Sequence, residues 1–126
     1  MTNRKGEFSF PKALHLRRPA EFRRVYDCKC SVRDDGLVIY GRVNGLAHSR
    51  LGMSVSRKAG SAVARNRLRR LYREAFRLAQ SALPPGIDMV FLPRGRSEPA
   101  LPELMTSLAK LAQALARKLA ARDRNT

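Results

Sequence analysis

The segment from Leu51 to Gln80 most constrains the fold of this chain. Leu51, Met53 and Val55 alternate with small or polar residues, which is the two-residue period of a half-buried β-strand. Gly60 ends this pattern, and Ser61 can cap a helix that follows. Apolar residues then recur at helical spacing, so the sequence predicts a strand followed by an amphipathic helix. The predicted core stripe of that helix consists of Ala64, Leu68, Leu71, Ala75 and Leu78.

The rest of the circumference of this helix is basic. Its polar positions are Arg65, Asn66, Arg69, Arg70, Arg73 and Arg77. The sequence contains no acidic residue between Asp35 and Glu74, so an ordinary solvated face with balanced charges does not explain this surface. Arginines one turn apart repel one another, and a bound polyanion relieves that repulsion. Phosphate is the expected anion, because guanidinium groups bind it through two parallel hydrogen bonds.

Asn66 stands between two arginines in the first turn of the helix. Its side chain can hydrogen-bond nearby backbone, which is the purely structural interpretation. Alternatively it faces the ligand, where an amide can bind a phosphate oxygen, a 2′-hydroxyl or the water shell of a metal ion held by nucleic acid. The position between two arginines favours the second interpretation.

The overall charge supports a nucleic-acid partner. The chain has 126 residues, 44% of them apolar, which suffices for one domain with a real core. Its formal net charge of +16 is typical of proteins that bind nucleic acid, with a membrane surface as the weaker alternative. Residues 1–12 contain no apolar run that could act as a secretory signal or membrane span, so we expect a cytoplasmic protein.

The sequence shows no catalytic or metal-binding motif. Cys28 and Cys30 are one residue apart, and a zinc site would have to recruit the distant His15 and His48. We therefore expect neither a structural disulfide nor a metal ion held by the protein. The ten acidic residues are scattered, and no nucleophile motif or phosphate-binding glycine loop occurs. No catalytic residue is predicted.

A first helix is predicted from Leu14 to Asp27, with Pro19 suited to a first-turn position. Phe22 and Tyr26 are four residues apart and share one face of this helix. Their rings either belong to the core or stack on unpaired bases, and the pattern leaves both alternatives open. Tyr40 lies in the next apolar run, where its ring can pack in the sheet.

The remaining elements complete the predicted fold. Leu37–Tyr40 predicts a strand that forms an antiparallel pair with Leu51–Ser56, and Ile87–Leu92 predicts another strand. From Pro102 onward, leucines at helical spacing predict a last helix that covers the sheet. These leucines are Leu104, Leu108, Leu111, Leu115 and Leu119. Residues 1–8 and 122–126 are expected to be disordered tails. The fold class is α+β: one domain, an α/β sandwich with a mixed sheet of about four strands and three helices.

The segment from Ser54 to Arg77 resembles the signature of the protein subunit of bacterial ribonuclease P. The resemblance lies in the triplet Arg65-Asn66-Arg67, the basic pairs after it, and an R-E-x-x-R ending that begins at Arg73. The Glu21–Tyr26 segment matches the E-F-x-x-V-Y/F pattern of the same family. Ser61 departs from the asparagine that the family commonly has there.

This resemblance implies a fold and a function. The central helix should join parallel strands by a rare left-handed crossover. Catalysis should come from an RNA subunit, with the protein inactive alone and one protein bound per RNA. Mg²⁺ should act through that RNA. The residues expected to bind the catalytic RNA are Lys58, Arg65, Asn66, Arg67, Arg69, Arg70 and Arg73. The residues expected to bind the 5′ leader of precursor tRNA are Phe22, Tyr26 and Tyr40.

Other classes remain. A general RNA- or ribosome-binding module would share the charge without needing a leader cleft. A protein-only nuclease would need clustered acidic metal ligands, and a helix-turn-helix DNA-binding protein would need a second short helix beside the basic one.

Overall fold

A computed structural model describes residues 14–94 and 99–124 of the chain. Within these ranges the chain forms three α-helices and four strands. In chain order they are α1 (Pro19–Asp27), β1 (Ser31–Arg33), β2 (Leu37–Val43), β3 (Arg50–Met53), α2 (Ala62–Ala79), β4 (Ile87–Pro93) and α3 (Leu101–Arg124). The predicted α+β class with a four-stranded mixed sheet is confirmed.

The strands lie in the order β1-β2-β4-β3. The last strand, β4, is antiparallel to β2 and parallel to β3, and α2 is the crossover between the two parallel strands. The predicted antiparallel pairing of the segments Leu37–Tyr40 and Leu51–Ser56 is therefore wrong. A central strand must be apolar on both faces, and Ile87 to Phe91 are all buried, so β4 takes the position between the other two strands.

The larger part of the core lies between one face of the sheet and the helices α2 and α3. All five predicted leucines of α3 are buried there, with at most 7% of their surface exposed, which confirms that stripe. Gly41 on β2 leaves room for this helix, because an added Cβ would overlap the Leu115 side chain. The second face of the sheet carries a smaller cluster under α1.

The predicted stripe of α2 is partly wrong. Leu68 and Ala75 are buried as expected, but Leu78 is 40% exposed. Tyr72 and Phe76 are buried instead, and both rings contact Phe91, with centroids 6.2 and 6.1 Å away. Large aromatic rings bury more apolar area than leucine, so their packing sets the rotation of the helix.

Helix α1 begins later than predicted. Arg18 is extended (φ −88°, ψ 143°), because the residue before a proline disfavours helical backbone, and Pro19 opens the helix. The preceding residues run beside β3, where the Leu16 N–H donates to the Leu51 carbonyl at 2.8 Å. The predicted helical start at Leu14 is thus wrong.

The C-terminal tail is more ordered than predicted. Helix α3 extends to Arg124, so residues 122–124 are helical, while residues 1–8 and 125–126 lie outside the described residues. Arg122 donates from Nη1 to the Cys28 carbonyl at 2.7 Å, which attaches the end of α3 to the end of α1. Cys28 and the buried Cys30 are free thiols.

Candidate nucleic-acid interface

The residues predicted to bind the catalytic RNA, six basic side chains and one asparagine, lie on α2 and the turn before it. We call this set the basic face. It comprises Lys58, Arg65, Asn66, Arg67, Arg69, Arg70 and Arg73. Lys58 lies in a short 3₁₀ turn, where its backbone N–H donates to the Ser56 hydroxyl, and Ser61 caps α2 by accepting from the Ala64 N–H at 3.2 Å. The first turn of α2 contains no acidic residue, so no local carboxylate compensates the positive N-terminal end of the helix dipole.

The basic face combines exposed cations with partly buried ones. Lys58, Arg67, Arg70 and Arg73 are exposed, whereas Arg65 and Arg69 are half-buried. The Arg65 Nε atom is buried and has no hydrogen-bond partner in the described part of the chain. A buried donor without a partner is unfavourable, so a bound acceptor at Arg65 would remove an existing penalty.

Asn66 has a protein partner that neither sequence interpretation anticipated. Its Oδ1 atom accepts a hydrogen bond from Arg69 Nη1 at 2.7 Å. The side-chain amide therefore binds a guanidinium group rather than the backbone. Asn66 thus orients a cation of the basic face while remaining exposed.

The basic face ends at an ion pair. Arg77 Nε donates to Glu74 Oε1 at 3.0 Å, and this hydrogen bond is the main reason why the pKa of Glu74 is lowered and that of Arg77 is raised. A shallow cavity of about 280 Å³ opens between this pair, Arg70 and Arg73. Glu74 therefore neutralises the last arginine of the row, and the unbalanced charge is concentrated in the first three turns of α2.

The predicted leader-binding aromatics come together on the second face of the sheet. Tyr26 from α1 and Tyr40 from β2 meet edge to face, with ring centroids 5.1 Å apart and planes at 79°. Phe22 lies over Gly52 of β3, where an added Cβ would be 2.7 Å from its Cζ atom. We call these three residues the aromatic cluster.

Each ring of the aromatic cluster is half-buried. The inner edges pack on the buried residues Leu16, Val25 and Val90, and the remaining ring surface stays accessible. Each ring can therefore pack on the core with one side and still have surface available to stack on a base, so the two alternatives do not exclude each other. A ring fixed on one side by packing offers a rigid face to a ligand on the other.

An ionic network that the sequence did not reveal attaches α1 to the sheet. Arg50 binds Asp88 through two hydrogen bonds, Nε to Oδ1 at 2.8 Å and Nη2 to Oδ2 at 2.7 Å. Its third nitrogen, Nη1, donates to Glu21 Oε2 at 3.1 Å. Asn44 Nδ2 also donates to Asp88 Oδ1 at 2.9 Å, so the carboxylate of Asp88, a residue only 1% exposed, is well paired. In the sequence, the only indication of this network is the aspartate inside the apolar run of β4.

Glu21 serves both this network and the start of α1. Its Oε1 atom accepts from the backbone N–H groups of Arg17 at 2.9 Å and Arg18 at 3.0 Å. These two bonds, together with the nearby Arg50 charge, lower the pKa of Glu21, while the Asp88 hydrogen bonds are the main reason why the pKa of Arg50 is raised. Because Glu21 directly precedes Phe22, the network fixes the position of the aromatic cluster above the sheet.

Comparison with known proteins assigns this arrangement to a family. The family model for ribonuclease P matches residues 10–117. The chain belongs to the ribonuclease P protein family. A ribonuclease P protein component from Caldanaerobacter subterraneus subsp. tengcongensis is 43% identical over 101 residues, which cover 79% of this chain and 87% of that protein.

Solved structures of ribonuclease P proteins share the fold. The protein from Thermotoga maritima matches with a TM-score of 0.71 and 31% identity, covering 79% of this chain and 96% of that one. The protein from Staphylococcus aureus matches with a TM-score of 0.70 and 32% identity, covering 86% and 99%. As a ribonuclease P protein component, the chain is part of an endoribonuclease complex that processes tRNA, and its partner is the RNA subunit.

Two negative findings concern the described residues of this ribonuclease P protein. Within residues 14–94 and 99–124, no group of three or more His, Cys, Asp or Glu side chains is arranged to hold a metal ion. Over the same ranges no helix has the length and apolarity that a membrane span requires.

Proposed function

We propose that this chain binds the catalytic RNA of ribonuclease P through its basic face and the 5′ leader of precursor tRNA through its aromatic cluster. In this proposal the RNA cleaves the phosphodiester bond that releases the leader, and the protein alone is inactive. One protein binds one RNA, and the complex works in the cytoplasm.

The observation that carries the proposal is the division of the molecule into two different surfaces. The basic face lies on α2, which packs on one face of the sheet, and the aromatic cluster lies under α1 on the other face. Guanidinium groups suit the phosphates of a folded RNA. Half-exposed rings suit unpaired nucleotides, because every base has a π-face and stacking is tolerant of sequence.

Arg65 supports the assignment of the basic face to RNA. Its buried Nε lacks a partner among the described residues, and a phosphate or 2′-hydroxyl oxygen would supply the missing acceptor. Bound phosphates would also reduce the electrostatic repulsion between neighbouring arginines of α2.

Magnesium enters this proposal through the RNA. Neutralising phosphates with arginine reduces the concentration of divalent ions that a folded RNA requires. The protein's contribution is therefore strongest at low Mg²⁺, and its scattered carboxylates have no direct role.

Cleavage of precursor tRNA tests the proposal. Three reactions are compared at low Mg²⁺: the purified protein alone, a bacterial ribonuclease P RNA alone, and both together. We expect cleavage only in the third reaction. Cleavage by the protein alone would contradict the assignment of catalysis to the RNA, and an inactive mixture would contradict the proposed partnership.

A general RNA-binding module is the alternative, and substrate choice separates it from the proposal. A leader-binding protein should increase the affinity of the holoenzyme for precursor tRNA over mature tRNA. A general RNA-binding module should increase both affinities equally.

A further inference from the structure

A second group of cations surrounds the edge strand β1 and the turn before it, apart from the basic face. We call this group the edge cluster, and its exposed members are Lys29, Arg33, Lys118 and Arg122. Lys118 Nζ donates to the Ser31 carbonyl at 2.7 Å, and Arg122 Nη1 donates to the Cys28 carbonyl at the same distance, so α3 holds two of these charges beside β1. Among the described residues, no carboxylate forms an ion pair with any of the four.

The backbone of Lys29 is the second observation. Its φ of 56° lies in the left-handed region, directly after α1, where glycine or asparagine is the usual residue. A lysine in this conformation is strained, and strained residues concentrate at functional sites. The end of α1 does not need the lysine charge, because Arg24 lies in the last turn of that helix and Arg122 already binds the Cys28 carbonyl. Lys29 is therefore a candidate ligand-binding residue.

The edge cluster is continuous with the aromatic cluster. The Lys29 N–H donates to the Tyr26 carbonyl at 3.0 Å, and Ser31 lies directly opposite Tyr40 in the register of β1 and β2. Opposite residues of an antiparallel pair share a face of the sheet, and so do residues two apart on one strand. Arg33 therefore lies on the face that carries Tyr40. A single strand of RNA that stacks on the aromatic cluster can continue directly onto Lys29 and Arg33.

The sheet topology gives such a strand a direction. At the other end of the aromatic cluster, Phe22 lies over Gly52 of β3, and the chain after β3 leads into the turn that carries Lys58 of the basic face. Strands β3 and β1 are the two opposite edges of the sheet. Because the proposed function places the catalytic RNA on the basic face, leader nucleotides next to the cleavage site lie on the β3 side, and nucleotides farther from it reach β1.

We propose that the edge cluster binds the phosphates of leader nucleotides that lie beyond those stacked on the aromatic cluster. This inference rests on the proposed function, because it extends the proposed path of the leader. Lys29 and Arg33 supply the main contacts. Lys118 uses one of its three N–H donors on the Ser31 carbonyl and has two left for a phosphate oxygen. Phosphate contacts carry no sequence information, so this surface accepts leaders of different sequence.

Leader length tests this inference. The full chain is assembled with a bacterial ribonuclease P RNA, and dissociation constants are measured for mature tRNA and for two precursors. One precursor has a leader of about three nucleotides, one for each ring of the aromatic cluster, and the other has a leader of about ten. We expect the double variant Lys29→Asn/Arg33→Gln to weaken binding of the long-leader precursor about tenfold at low salt and to leave the short-leader precursor unchanged.

Salt dependence and a matched control complete the test. For the long leader, the plot of log affinity against log salt should be flatter by about 1.4 in the double variant, roughly 0.7 for each of two lost phosphate contacts on a single strand. The control Lys110→Gln/Arg117→Gln removes the same charge from two exposed positions of α3 outside the edge cluster and should leave both affinities unchanged. Asparagine tolerates the left-handed conformation of Lys29, so the test variant should fold, which circular dichroism checks.

Two results would overturn the inference. Equal losses of affinity for long and short leaders would place the edge cluster against another part of the RNA, and equal effects of the two double variants would reduce its role to net charge. The wild-type protein tests the proposed function separately. If its holoenzyme binds the short-leader precursor no more tightly than mature tRNA, the leader cleft itself is rejected before any variant is compared.

Discussion

Replacing Arg50 with methionine should destabilise the protein by about 3 kcal/mol. The change removes two hydrogen bonds from Asp88, a residue that is 1% exposed, and leaves that carboxylate with the single bond from Asn44. Breaking a buried ion pair by removing one partner typically costs about 3–5 kcal/mol, and the remaining Asn44 bond places the expected value near the lower limit.

Urea unfolding followed by circular dichroism at pH 7 measures this effect. For a chain of this size, a loss of about 3 kcal/mol corresponds to a melting temperature lower by roughly 10 °C. The matched control is Arg42→Met, because Arg42 lies opposite Asp88 on β2 and is also half-buried, but does not bind that carboxylate. We expect the control to change the free energy of unfolding by less than about 0.5 kcal/mol.

A double variant tests the assigned cause. Adding Asp88→Asn to Arg50→Met removes the unpaired charge and keeps an oxygen that can accept from Asn44, so at least half of the lost stability should return. If Arg50→Met differs from Arg42→Met by less than about 1 kcal/mol, the ionic network does not stabilise the fold and the reasoning is refuted.

Three further predictions concern the two surfaces and pH. Phe22→Ala should weaken holoenzyme binding of precursor tRNA by ~1–3 kcal/mol without affecting mature tRNA, and equal losses in a folded variant would argue against a leader cleft. Replacing Arg65 and Arg67 with alanine should flatten the dependence of log affinity for the RNA subunit on log salt by roughly 0.7–0.9 per lost phosphate contact, and an unchanged slope would assign these arginines a structural role. The folded state lowers the pKa of Glu21 below its ordinary value of 4.5, so its contribution to stability is present above that pH and is lost as the pH falls through the folded pKa. The stability difference between wild type and Glu21→Gln should therefore shrink between pH 6 and pH 3, and a constant difference would refute this linkage.

Elements with strong local periodicity could be predicted from the sequence. The stripe of α3 was predicted correctly, because its leucines are evenly spaced and few other large apolar residues compete for the core face. In α2, by contrast, several large apolar residues compete for the core face. Tyr72 and Phe76 occupy the core, and Leu78 is left 40% exposed. Periodicity identifies a helix reliably, whereas its rotation depends on which side chains fill the space beside Phe91.

Features that depend on distant residues could not be derived from local patterns. The pairing of β2 with β4 joins residues about fifty positions apart, such as Tyr40 and Val90, and nothing in either strand encodes that register alone. The Arg50–Asp88 ion pair likewise joins residues that are distant in the sequence, so no local pattern predicts it. For the aromatic cluster, spacing placed Phe22 and Tyr26 on one face, but only the family resemblance added Tyr40, and the fold brings it 5.1 Å from Tyr26.

The strand order has a consequence for biosynthesis. Because β4 lies between β2 and β3, a nascent chain that ends before Ile87 contains one hairpin, β1–β2, and a third strand with no neighbour in the sheet. The sheet can close only after its central strand has been synthesised, so the rate of folding is governed by long-range contacts rather than by the early formation of α2. Until then the arginine-rich helix has no sheet to pack on, which exposes its aromatic stripe together with its full positive charge. Stalling of synthesis between α2 and β4 should therefore produce a species that binds RNA without specificity.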